Sequence, residues 1–225
     1  MVIIGHRGAP DLAPENTLAS IQKAIDLGVD EVEIDVRVTK DGIPVLCHNK
    51  KLNLPADQEL FIDRLTLNEL TKLKTDIATL ESAMELAKGK TKLCIEIKEK
   101  NSYQPILAVI KKEVDQGFGL GKLSIASFDI KALKYFKRQL AGAQLVVNEL
   151  WSGTRAASRA RRLGTTRMNM HQSVLWRGYT VPLFKRGYRI YAYTVNNQIK
   201  AEKLARIGVA GIITDYPDLF EKTKE

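Results

Sequence analysis

Short β-branched runs alternate with amphipathic helical stretches along this chain, and glycines mark the junctions. Gly28, Gly89, Gly164, Gly187 and Gly208 each follow a helical stretch and precede the next apolar run. A glycine just past a helix end adopts the left-handed conformation cheaply. Helix starts are marked as well. Asn16 precedes a stretch over 17–27, Asp129 precedes one over 130–140, and Thr66 with Glu69 has capping-box spacing. The strands are predicted at 2–5, 32–38, 92–97, 123–127, 144–149, 166–170, 189–194 and 211–214. Alternating βα units imply a parallel sheet. Eight units in 225 residues imply an α/β protein with one domain over 1–225, a closed (β/α)8 TIM barrel rather than an open doubly wound sheet. Residues 50–65 read as a short loop insertion.

One segment breaks the alternation. The second strand runs into Asp41-Gly42 and then Ile43–His48, a two-residue hairpin signal. With the turn at Asp41-Gly42, Lys40 opposes Ile43 and His48 opposes Asp35. The barrel is therefore predicted to carry a β-hairpin extension after strand two.

Composition narrows the setting. No apolar run approaches the ~20 residues needed to span a bilayer. Val2-Ile3-Ile4 directly after Met1 predicts no signal peptide, and two cysteines make neither a disulfide framework nor a CxxC site. A reduced, cytoplasmic protein with no stable membrane anchor is expected. The net charge is +9, yet residues 1–60 hold six Lys/Arg against ten Asp/Glu, a net −4 that leaves +13 for the rest. A basic surface favours anionic partners, and an acidic cluster within it suggests a cation site.

Barrels of this kind carry their chemistry at the C-terminal ends of the strands. Strand one ends in Gly5-His6-Arg7-Gly8. Glu33 and Asp35 are two apart on strand two, as are Glu96 and Lys98 on the third barrel strand. In Val32-Glu33-Ile34-Asp35-Val36 the apolar residues are predicted to face the helices, which turns both carboxylates inward, where an unpaired charge is costly. Three converging carboxylates suit Mg²⁺, Ca²⁺ or Mn²⁺; the alternative is pairing with Arg7 and Lys98. His6 and His48 both fall at strand ends and can divide general acid and base roles. Ser127, Glu149, His171, Thr194, Asn196 and Asp215 are the remaining polar strand-end residues; His171 reads as a rim residue. Cys47 and Cys94 read as packing residues, with Cys94 lower in the barrel than Glu96. Arg155, Arg159 and Arg162 form a helical stripe beside Arg161, which reads as a solvated face, with an anion-binding surface as the alternative.

These residues resemble the glycerophosphodiester phosphodiesterase family of phospholipase-C-like barrels. The resemblance rests on His6-Arg7-Gly8, Pro14-Glu15-Asn16-Thr17, Glu31–Val36, Thr39-Lys40-Asp41-Gly42 and Pro44–His48. It continues through Thr79-Leu80-Glu81, Ile95–Lys98, Ser127-Phe128-Asp129, Thr194-Val195-Asn196 and Gly211–Pro217. It implies metal-dependent hydrolysis of a small-molecule glycerophosphodiester to sn-glycerol 3-phosphate and an alcohol. It further implies one divalent cation on Glu33, Asp35 and Glu96, His6 and His48 as the acid/base pair, and Arg7 and Lys98 near the phosphate. Glu15 and Asn16 would shape the loop after strand one, and Tyr193, where the family usually has Trp, would pack against glycerol. The family's usual His-Asp pair is His48-Asn49 in this chain. A lysophospholipase D is the alternative enzyme, and a non-enzymatic binder of phosphates or nucleic acid is the alternative class. The basic residues lack the aromatic interleaving of a single-strand binding surface, so no nucleic acid partner is expected.

Overall fold

The structure is a computed structural model, and it describes residues 1–52 and 59–220. The strands are β1 (Val2–His6), β2 (Glu31–Val38), β3 (Pro44–Leu46), β4 (Lys92–Ile97), β5 (Leu123–Ser127), β6 (Gln144–Glu149), β7 (Arg167–His171), β8 (Arg189–Tyr193) and β9 (Gly211–Thr214). All but β3 run parallel, and β1 pairs with both β2 and β9, which closes the ring. The helices are α1 (Leu18–Asp26), α2 (Leu67–Leu73), α3 (Leu80–Ala87), α4 (Gln104–Asp115), α5 (Ile130–Gln139), α6 (Gly153–Leu163), α7 (Arg177–Lys185) and α8 (Gln198–Arg206). The fold is the expected (β/α)8 barrel with its hairpin extension. The loop insertion predicted over 50–65 has its central residues, 53–58, outside the described ones.

Side-chain alternation on β2 separates packing from chemistry. Val32, Ile34 and Val36 are fully buried against Ile21 and Ala24 of α1 and Met84 and Ala87 of α3. Glu31, Glu33 and Asp35 face the barrel interior and are also buried. At the lower end Glu31 accepts from both terminal nitrogens of Arg167, at 3.1 and 2.7 Å, and Arg167 also donates to Ser124. Its guanidinium lies 4.4 Å over the Tyr191 ring. Cys94, Ala126 and Val146 form a small apolar layer inside the barrel.

The hairpin departs from expectation by one residue. Val36 pairs with Leu46, Arg37 with Val45 and Val38 with Pro44. The connection is therefore the three residues Lys40-Asp41-Gly42, closed by Thr39 N–H donating to the Ile43 carbonyl, with Gly42 at φ +80°. A three-residue loop ending in a left-handed glycine is the next commonest hairpin connection. Asp41 tethers this loop: its carboxylate accepts from Thr39 Oγ1 at 2.6 Å and from the Leu67 N–H that opens α2. Cys47, not His48, then donates its N–H to the Asp35 carbonyl. The N-cap of α1 also shifts. Thr17, not Asn16, accepts from Ser20 N–H, and Asn16 is freed for the site.

Candidate active site

The site opens at the end of β1. Arg7 is left-handed, φ +58°, and three contacts hold it there. Its N–H donates to Glu33 Oε2 at 3.1 Å, and its carbonyl accepts from Asn16 N–H and from Ser20 Oγ. Gly8 follows at φ +97°, packed on α1 so closely that a Cβ would stand 2.2 Å from Ser20 Oγ. This tight turn lifts His6 and Arg7 into the barrel mouth. His6 Nδ1 lies 2.5 Å from Asp215 Oδ1, so Nδ1 carries a proton and Nε2 is the free ring nitrogen. Asp215 follows β9, 209 residues along the chain. Asn196 fixes it from both sides, donating Nδ2 to Oδ2 at 2.7 Å and accepting the Asp215 N–H on Oδ1 at 2.9 Å. Burial pushes the Asp215 carboxyl up, but the bonds from His6 and Asn196 outweigh it and hold the group below its ordinary value.

Glu33, Asp35 and Glu96 converge below the two histidines. One oxygen from each lies within 4.8 Å of the others, and all three residues are buried. Lys98 Nζ reaches Asp35 at 3.0 Å and Glu96 at 2.6 Å, and Arg7 Nε reaches Asp35 at 3.0 Å. Asn16 clasps Asp35 by donating Nδ2 to its carboxylate and accepting its N–H, both at 3.0 Å. The three carboxyls consequently separate. Burial raises Asp35, but Lys98 and Arg7 overcome it and bring the group below its usual value. Burial raises Glu96 against the pull of Lys98, and burial with repulsion from Asp35 and Glu96 holds Glu33 well above the carboxylate range. The Glu96 oxygen nearest Lys98 and Arg7 Nε are both buried without a hydrogen bond of good geometry. The donor set of hard oxygens and the repulsion within it fit a divalent cation.

The hairpin returns His48 to this cluster. Its Nδ1 lies 2.9 Å from Asn49 Oδ1, so this ring too keeps Nε2 free. Burial, then the charge of Lys98, holds His48 below its ordinary value. His6, Arg7, Glu33, Asp35, His48, Glu96, Lys98 and Tyr193 all line one cavity of about 370 Å³. Glu15 does not line it; it accepts from Arg7 at 2.7 Å from the solvent side. The walls add Phe128, Leu150, Asn148, Asn169, Thr194 and His171. Sequence reading gave Asn16 only the shaping of the loop after strand one, and it singled out neither Asn148 nor Asn169. The parity of β6 and β7 could have found the latter two, since both face inward. The arginine stripe differs from a solvated face: Arg155 and Arg159 both turn to the buried Glu149 carboxylate, Arg155 Nε at 2.6 Å.

The chain matches the glycerophosphoryl diester phosphodiesterase family over residues 6–219. YhdW of Bacillus subtilis is 33% identical over 99% of this chain and 97% of its own length. A glycerophosphodiester phosphodiesterase of Caldanaerobacter subterraneus is 28% identical, covering 96% of this chain and 95% of that protein. Among solved structures, an Oleispira antarctica phosphodiesterase in complex with the product sn-glycerol-3-phosphate superposes with TM-score 0.88 at 28% identity, over 97% of this chain and 94% of that one. The Thermotoga maritima glycerophosphodiester phosphodiesterase gives TM-score 0.82 at 26% identity, over 98% and 96%.

Proposed function

Because the chain belongs to the glycerophosphoryl diester phosphodiesterase family, we propose that it hydrolyses small glycerophosphodiesters to sn-glycerol 3-phosphate and an alcohol. One divalent cation (Mg²⁺, Ca²⁺ or Mn²⁺) sits on Glu33, Asp35 and Glu96 in this reading. The observation that carries it is the convergence of two imidazoles, each anchored through Nδ1, over three buried carboxylates in one cavity. The product bound in the Oleispira antarctica relative supports the same substrate class.

When bound, the cation supplies Lewis-acid polarisation of a phosphoryl oxygen. Arg7 and Lys98 direct cationic donors at the remaining phosphate oxygens and offset charge that develops there. The free Nε2 of one histidine takes the proton of the attacking hydroxyl, and the other histidine, entering the step protonated on both ring nitrogens, gives its Nε2 proton to the leaving alkoxide; where the substrate's own hydroxyl attacks, water then opens the cyclic phosphate. Phe128 and Tyr193, ring centroids 6.3 Å apart and edge to face, offer an apolar wall for the glycerol carbons.

The test is release of glycerol 3-phosphate from several glycerophosphodiesters, with EDTA, Mg²⁺, Ca²⁺ and Mn²⁺ in parallel. Cation-dependent release is expected, and undiminished release in EDTA removes the metal from the reading. Replacing His6 or His48 by Ala is expected to lower turnover about 10²–10⁴-fold. Unchanged turnover in both variants removes the acid/base pair.

A further inference from the structure

We propose that one arc of the barrel mouth docks on an anionic lipid bilayer. This goes beyond the hydrolytic reading and does not depend on it. Phe128, Leu150, Trp151, Trp176 and Ile199 stand exposed on the loops and first helical turns that follow β5, β6, β7 and β8. Trp151 is 73% exposed, Trp176 66% and Ile199 63%. Large apolar side chains gathered at one end of a barrel mark an interaction surface. Trp176 and Ile199 share one outer groove with Arg177, Lys200 and Lys203. Phe128 and Leu150 also line the catalytic cavity, so the apolar arc runs into the site's entrance.

Charge identifies the occupant. The first turns of α6, α7 and α8 hold Arg155, Arg177 and Lys200 and no acidic residue. Arg155 and Arg159 are committed to Glu149, but Arg177, Lys200 and Lys203 have no ion-pair partner among the described residues. A second copy of this chain would bring the same cations and repel. Nucleic acid would use the aromatics as stacking platforms, but aliphatic Leu150 and Ile199 offer nothing to a base. Indole rings at the headgroup level, aliphatic side chains below them and basic residues around them fit an anionic bilayer surface. The contact is peripheral, because no helix among the described residues is long and apolar enough to cross a membrane.

Trp151 and Trp176 are the only two tryptophans in the sequence, so selectively excited tryptophan fluorescence reports on these two positions alone. The test mixes the full chain with phosphatidylcholine vesicles and with vesicles containing added phosphatidylglycerol, at low and high salt. Sedimentation with the anionic vesicles, a blue shift of emission and release by salt are expected. The double variant W151A/W176A is expected to lose binding. R177E/K200E is expected to lower the partition coefficient at least ~25-fold, because each basic residue at an anionic surface contributes about fivefold. Both variants should keep full turnover of a soluble glycerophosphodiester, a check on folding that is independent of binding. Absence of binding to anionic vesicles overturns the proposal. So does binding that survives in both variants, or a preference for duplex DNA over vesicles.

Discussion

Asp215 holds His6 by Nδ1, and Asn196 in turn holds Asp215 by two hydrogen bonds. The carboxylate fixes the tautomer that leaves Nε2 free, so its value lies in orientation as much as in charge. Asp215→Asn is expected to lower kcat by roughly 10²-fold while KM moves little, and to add little in a His6→Ala background, where the group it orients is gone. Equal losses that add in the double variant would detach Asp215 from the histidine. Glu33 makes a second prediction. Its carboxyl is held well above the ordinary range by burial and by its carboxylate neighbours, so a cation entering the cluster displaces a proton. Adding cation to EDTA-stripped protein in weak buffer at neutral pH should release acid, and Glu33→Gln should abolish that release. The residue types of this site are legible in the sequence because inward parity on β2 and β4 marks them. The contact that Asn16 makes is not legible. Before a helix an asparagine reads as a cap, and only the folded loop turns its amide onto Asp35.

Periodicity fixes the barrel strands to within a residue or so, because burial on both faces leaves little freedom in where a β-branched run begins. The hairpin register escapes that logic. Asp41 in this loop is tethered to the Leu67 N–H, a partner 26 residues away that no local pattern shows. The loop between β1 and α1 is equally demanding. A Cβ on Gly8 would stand 2.2 Å from Ser20 Oγ and 2.5 Å from the Ser20 carbonyl carbon, at φ +97°. Gly8→Ala is therefore expected to cost about 3 kcal/mol in urea unfolding, with activity lost in proportion as Arg7 shifts. At the start of α6, burial acts to raise Glu149, but hydrogen bonds from Arg155 and from the Trp151 and Leu150 N–H groups bring it down to about 2, against an ordinary 4.5. A carboxyl lowered by folding stabilises fully above its unfolded value and ceases to as pH falls through its folded one. Stability should thus drop between about pH 4.5 and pH 2, and Glu149→Gln should flatten that part of a Tm-against-pH curve.

Across the whole barrel, Glu31 and Arg167 close the lower end although 136 residues separate them. Removing one partner leaves a buried charge, so Arg167→Met alone is expected to cost about 3–5 kcal/mol, while Glu31→Leu with Arg167→Met recovers most of it. No local pattern announces this pair; it exists only once β2 and β7 face each other across the closed ring. The edge of β2 is divided between two neighbours. β1 holds it at Glu31–Glu33 and β3 holds it at Val36–Val38. Only β1 belongs to the ring, so β3 can come away without opening the barrel. His48 would leave with it, while His6 and the carboxylates stay in place. In a urea titration turnover should then vanish ahead of the helical circular dichroism signal, and the enzyme is disarmed before it is unfolded.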